Sequence, residues 1–238
     1  MKNTELNPAG LFDFFSESAM NRIGAETTLE SHLVALEERL QEIGPRGSPQ
    51  DTAELQLQIA RTLVGLGRGE AAWPIGRTAF DTFIRHQDWE AAVDICDVLY
   101  QTELDGCLSA LGQGIWLAVT YPVDSELSLG LLNHVIEDTP ENSDGAAIAA
   151  TVALFLIDLR SEGQERDDLL FFATQTLGQV ARRHSGVESQ KDFDLWLDRL
   201  GLKEPDKFLP RLRTLIDVLV QDDWWFDRDL LQIRLPVN

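Results

Sequence analysis

His134 and Glu137 lie three residues apart in the run NHVIED, so a helix would set an imidazole and a carboxylate on one face, one turn apart. Such a pair could share a metal ion. A di-iron bundle, however, needs two Glu-x-x-His motifs and two further inward-facing glutamates, and the sequence holds no such set. The pair therefore reads as part of a helix surface. His184 closes the run ARRHSG, where Arg182 and Arg183 complement the carbonyl end of a helix, and His86 follows Arg85 at another helix end. His32 is remote from all of these. Cys96 and Cys107, eleven apart and outside any CxxC, read as small buried residues and not as a disulfide or metal ligands. With 40 acidic residues in 238, neighbours such as Asp167 and Asp168 arise by number alone and do not single out a general acid and base. No phosphate-binding, dinucleotide-binding, nucleophile-elbow or zinc-protease motif is present. The sequence points away from catalysis, and to no cofactor and no metal; an enzyme built from scattered carboxylates stands as an alternative without a motif.

What remains is chemistry of recognition, in QDDWWFDRDL at residues 221–230. On a helix Trp224, Trp225 and Phe226 fan through about 200°, and on a strand Trp225 faces away from the other two. No single regular face buries all three. One outcome is that the chain leaves its last helix, wraps back over the body and buries the rings on both sides, with Leu231, Ile233 and Leu235 tucked in as an extended tail. A second is a protein-binding anchor, in which Trp224, Trp225 and Phe226 form the centre and Asp222, Asp223 and Asp227 form a charged rim for a partner with a basic surface. A homodimer seam is the third.

The formal net charge of −20 repels phosphate backbones and disfavours nucleic acid as a partner. A 44% apolar composition over this length allows a substantial core. The longest apolar run, Ala146 to Ile157, falls well short of the roughly 20 residues a bilayer crossing needs, and Asp144 and Asp158 close it. It is expected to be a central core helix, and no membrane insertion is expected. The first twenty residues carry one lysine, several acids and no apolar run of signal-peptide length, so the expected compartment is the cytoplasm.

Apolar residues recur at helical spacing along nearly the whole chain, which predicts an all-α protein of about ten antiparallel helices in one domain, residues 1–238. Leu29, Leu33, Leu36, Leu40 and Ile43 form a stripe, entered by a Thr27/Glu30 capping box and stopped at Gly44-Pro45. Ser48-Pro49-Gln50-Asp51 starts the next helix, and Gly65-Leu66-Gly67 ends it. TPENSDG at 139–145, Ser161-Glu162-Gly163 and Ser185-Gly186 separate later helices. Phe193, Trp196, Leu197 and Leu200 form a stripe closed by Gly201; Leu212, Leu215, Ile216 and Leu219 form the last, starting near Pro210. Trp73, Trp89, Trp116 and Trp196 read as core or interhelix anchors. Gly112 and Gly114 mark close helix approach.

Two segments carry a family resemblance. GRGEAAWPIGRTAF (67–80) and QDWEAAVDICDVLY (87–100) superpose with a twenty-residue offset, sharing a turn residue, Glu-Ala-Ala and small residues beyond it. This resembles the second-helix half of a tetratricopeptide repeat over residues 53–101, with the family's small positions at Ala72, Gly76 and Ala79 and at Ala92 and Cys96; the offset of twenty and Pro74 depart from that pattern. The resemblance implies a tetratricopeptide-like helical array, against an irregular helical bundle as the other architecture, and a non-catalytic protein-binding scaffold or adaptor. EPDKFLPRLRTLIDVL (204–219) is similar to a short stretch of helical maturation chaperones for redox enzymes, through Pro205, Asp206, Leu209 and Pro210, with Lys207 where that family has histidine. That likeness implies an assembly chaperone for a metalloenzyme subunit.

Overall fold

Capping and turn chemistry sets most helix ends in the computed structural model, which describes residues 8–233, with side chains from residue 24 to residue 232 apart from Pro45. Among the described residues there are eleven α-helices and no strand: α1 (Pro8–Ile43), α2 (Pro49–Gly65), α3 (Gly69–His86), α4 (Trp89–Tyr100), α5 (Cys107–Thr120), α6 (Ser125–Asp138), α7 (Asp144–Arg160), α8 (Gly163–Ser185), α9 (Gln190–Leu200), α10 (Pro205–Val220) and α11 (Arg228–Ile233). The protein is all-α. At the start of α2 the expected Ser48 cap is present and closes into a capping box: Asp51 N–H donates to Ser48 Oγ (3.0 Å) and Ser48 N–H to the Asp51 carboxylate (3.3 Å). Gly186 and Gly201 close α8 and α9 in the left-handed conformation.

Three boundaries differ from the sequence reading. α1 does not begin at Thr27 but runs through it from Pro8. The hydroxyls there return to the helix, Thr28 Oγ1 donating to the Gly24 carbonyl and Ser31 Oγ to that of Thr27 (both 2.9 Å), so they do not break it. α10 begins at Pro205 and continues past Pro210. Pro205 occupies a first-turn position that has no intrahelical N–H partner to lose, and Pro210 forfeits one bond near that end. The tail expected to be extended is instead a short helix over Arg228–Ile233, with Leu231 buried. Asp227 accepts from the Asp229 and Leu230 N–H groups (3.0 and 3.1 Å) and so caps it. Leu235 lies outside the described residues.

Successive helices joined by short turns pack side by side, α2 with α3, α4 with α5, α6 with α7, while α4 also adjoins α2 and α6. The main core runs from Leu33 to Leu231, and Ile157, Leu169 and Ala173 form a small second cluster between α7 and α8. The matching segments 67–80 and 87–100 fall on α3 and α4, which face each other. Ala72, Ala79, Ala92 and Cys96 are fully buried there, and a Cβ on Gly76 would come within 2.8 Å of Leu99 Cδ2. α7 is buried almost all round, from Ala146 to Ile157, as its composition requires. α10 packs against both α5 and α7.

Between helices, close approach is tightest at α5. A Cβ on Gly112 would stand 2.6 Å from Val220 Cγ2 and 3.0 Å from Leu219 Cβ on α10, and one on Gly114 would meet Leu131 on α6 and Cys96 Cβ at 2.8 Å on α4. Gly112→Ala is therefore expected to lower unfolding stability in urea by about 1–3 kcal/mol, the usual range for overpacking. Gly178→Ala, with nothing within 4 Å of its added methyl, is expected to raise it by roughly 0.5–1 kcal/mol through helix propensity.

Candidate functional site

The aromatic stretch lies across a groove between α3 and α5. At the end of α10 the chain reverses in a turn closed by Asp223 N–H donating to the Val220 carbonyl (3.0 Å), with Gln221 at φ 53°, ψ −122°. That is the first central position of a type II′ turn, where glycine is the usual residue. The next residues have no regular partner of their own, and α5 supplies it. Gln113, fully buried, donates to the Asp223 carbonyl (3.2 Å) and accepts the Trp225 N–H (2.8 Å). Ser109 Oγ donates to the same carbonyl (3.1 Å) and accepts from Gln113 Nε2 (3.1 Å).

The three rings then divide among Trp73, Phe80 and Trp116, with Phe80 and Trp116 each shared by two of them, which resolves the geometric conflict of three adjacent aromatics. Trp225 meets Phe80 edge-on (5.1 Å between centroids) and Trp73 (6.2 Å), with the Arg77 guanidinium 3.6 Å above it. Phe226 packs on Trp116 (5.2 Å) and Phe80 (6.1 Å). Trp224 meets Trp116 edge-on (6.3 Å) beneath the Arg228 guanidinium (3.9 Å), and Arg228 is held in turn by Asp217 (2.8 Å). All three rings are half-buried, whereas Asp222, Asp223 and Asp227 are exposed. Two of these acids also bond locally: Asp223 accepts the Trp225 indole N–H (3.2 Å), and Asp227 caps α11. Beyond the stretch, Tyr121 donates to the Leu231 carbonyl (3.2 Å) and stacks on Trp89 (3.8 Å).

A second concavity was not foreseen from the sequence. It is a cleft of about 500 Å³ between the start of α5, α6, the start of α7 and α10, with apolar walls that include Leu111, Val135, Ile148 and Leu215. Leu108 and Val218 stand among its lining residues, 52% and 67% exposed. Val218 gives the one available signal, since it falls outside the Leu212, Leu215, Ile216, Leu219 stripe of α10. His134 also lines the cleft. Its Nε2 is bonded to Asp97 Oδ1 (2.7 Å), which, against the opposing effect of burial, raises its pKa above the ordinary value of 6.5. Tyr100 lies against its ring, tilted by 45° with centroids 4.5 Å apart, and donates to Asp138; burial together with that bond pushes the phenol upward. At the far end Arg211 pairs with Asp144 (2.5 Å), which also holds His184 Nε2 (3.0 Å).

Glu137 follows His134 by one turn, but the imidazole is committed to Asp97. Among the described residues no group of three or more His, Cys, Asp or Glu side chains is placed to hold a metal ion. Burial raises the pKa of both thiols, most strongly that of Cys96, which α5 covers at Gly114. No protein-family model matches the chain, and no curated protein or solved structure matches it either.

The His134–Asp97 bond has a pH signature. A histidine pKa raised on folding contributes stability that is fully present below the unfolded value of 6.5 and is lost as pH climbs through the raised folded value. The drop in melting temperature caused by His134→Gln is expected to be largest near about pH 5.5 and to shrink toward about pH 8.5.

Proposed function

We propose that this chain is a non-catalytic protein-binding scaffold or adaptor, a single all-helical domain acting in the cytoplasm, whose partner is a protein with an apolar segment flanked by basic residues. The observation that carries this reading is the cleft with Leu108 and Val218 exposed beside it. Two large aliphatics standing in solvent next to a concave apolar wall form a surface that a partner would cover. The charge around it favours a basic partner. The two basic side chains that line the cleft are held by carboxylates, His134 by Asp97 and Arg211 by Asp144, and the chain as a whole carries −20. α10, which supplies one wall, runs directly into the exposed acids Asp222 and Asp223. The acid-rimmed stretch of Trp224, Trp225 and Phe226 follows α10 as a second candidate surface, its rings seated in the α3/α5 groove and Asp222, Asp223 and Asp227 exposed. Among the described residues no helix is long and apolar enough to cross a membrane.

One observation favours a second reading, an assembly chaperone for a metalloenzyme subunit. The helix that opens with Pro205-Asp206 and contains Leu209-Pro210 is the one whose Arg211, Leu215, Val218 and Leu219 line the cleft. A client that binds only before its own maturation would separate that role from a scaffold, and a concentration-dependent dimer in sedimentation would reveal a homodimer seam.

The test is affinity purification from the native cell with wild type, Leu108→Glu/Val218→Glu and Trp224→Ala/Trp225→Ala, each first melted. The cleft variant changes exposed positions, so it should keep its melting temperature and lose a specific partner. The tryptophan variant should melt several degrees earlier, because truncating two packed rings removes roughly 3 kcal/mol or more. A cleft variant that retains every partner of wild type would overturn the reading.

A further inference from the structure

The bonds that hold residues 223–226 have the form of peptide recognition. A single buried amide, Gln113, engages the main chain at both ends, accepting the N–H of Trp225 and donating to the carbonyl of Asp223, with Ser109 on the same carbonyl. Main-chain bonds of this kind do not depend on which residue carries them. Selectivity comes from the flanking slots: Trp225 enters one made by Trp73, Phe80 and Arg77, and Phe226 enters one made by Phe80 and Trp116.

Two features work against the docked state. Gln221 holds φ 53°, ψ −122°, a conformation that L side chains rarely adopt, and release of the turn would let it relax. Beneath Trp225, the Arg77 Nη1 is buried with no hydrogen-bond partner, and undocking would return it to water. Favourable main-chain and ring contacts on one side, and local strain with an orphaned donor on the other, describe a latch.

We propose that residues 221–227 are a tethered ligand occupying a peptide-binding groove between α3 and α5, and that the groove accepts in their place a segment of a partner protein in which a carboxylate residue and one intervening residue precede two adjacent aromatics. The resident segment defines the aromatic part of that chemistry, Trp225 and Phe226 filling the two slots. Its own Asp223 carboxylate is taken by the Trp225 indole N–H, and a partner carboxylate that reached Arg77 would supply the acceptor that Nη1 lacks. This groove is separate from the cleft, so loss or retention of partners by the cleft variant leaves the inference untouched.

Hydrogen exchange on the unaltered full chain reads the latch first. The Trp225 amide should exchange through a local opening at least about tenfold faster than the buried amides of α5 at Ile115–Leu117, and Gln221→Gly should slow it. Binding is then measured by fluorescence anisotropy with a labelled peptide of residues 221–228, Gln-Asp-Asp-Trp-Trp-Phe-Asp-Arg. Full-length Trp225→Ala, whose slot is vacated, should bind the peptide at least about tenfold more tightly than wild type, where the tethered copy competes. Adding Gln113→Ala to Trp225→Ala should abolish that binding. Protection of the Trp225 amide equal to that of α5 and unchanged by Gln221→Gly overturns the proposal, and this readout stands even where Trp225→Ala fails to fold. Absence of peptide binding by folded Trp225→Ala, or binding indifferent to Gln113→Ala, also overturns it. A wild-type dimer with exchanged 221–227 segments would assign the groove to a second copy and overturn the partner claim.

Discussion

The arrangement rests on how closely other backbones approach α5. Gly112 and Gly114 are two residues apart, about 200° around the helix, so they open opposite sides of it. Gly114 admits α4 and α6 through Cys96 and Leu131, and Gly112 admits α10 through Leu219 and Val220. Every residue from Ser109 to Ala118 is buried in consequence. A helix surrounded in this way has no solvent face, and its polar residues must find partners inside the protein.

Gln113, between the two glycines, is where that requirement becomes structural. An unpaired amide at a fully buried position would carry a desolvation penalty of about 1–3 kcal/mol, so the groove it faces must contain donors and acceptors. The stretch after α10 has the complementary problem, because outside a helix its main-chain groups lack neighbours of their own. Each satisfies the other: Asp223 and Trp225 present a carbonyl and an N–H to the one side chain that can use both. The three aromatics follow from this pinned backbone. Free of helical or strand periodicity, they form one cluster over Trp73, Phe80 and Trp116, in which Phe226 packs between the surfaces used by Trp225 and Trp224.

Much of the helical plan could be read directly from the residues, because helix ends are decided locally. Ser48 with Asp51, Gly44, Gly186 and Gly201 act over three or four residues, and each ends or starts a helix where expected. The misplaced boundaries arise where a local signal competes with continuity. Thr27 and Glu30 form a good capping pair only if the helix starts there, and α1 has already started upstream at Pro8. Pro210 resembles a helix start, but Pro205 already occupies the better one. The candidate site was harder. The aromatics and their acids stand out by composition, yet Gln113 lies 112 residues from Trp225 and reads as one polar residue in an apolar helix. Nothing local links the two. The cleft was hidden for a related reason: its walls come from residues that fit ordinary core stripes, and only Val218 breaks the pattern.

α10 joins the two candidate sites into one mechanical unit. Leu219 lines the cleft and also packs against α5 at Gly112, while Val220, the next residue, accepts the hydrogen bond that closes the turn at Gln221. Contacts this close leave little room for independent adjustment, since a packed interior transmits small displacements and does not absorb them. The position of α10 therefore sets both the shape of the cleft wall and the point from which the aromatic stretch departs. A partner that moved α10 by pressing on Val218 or Leu215 would act on the strained Gln221 turn within one helical turn of the contact. The coupling would run through a single rigid element, with no chain of intermediates between the sites.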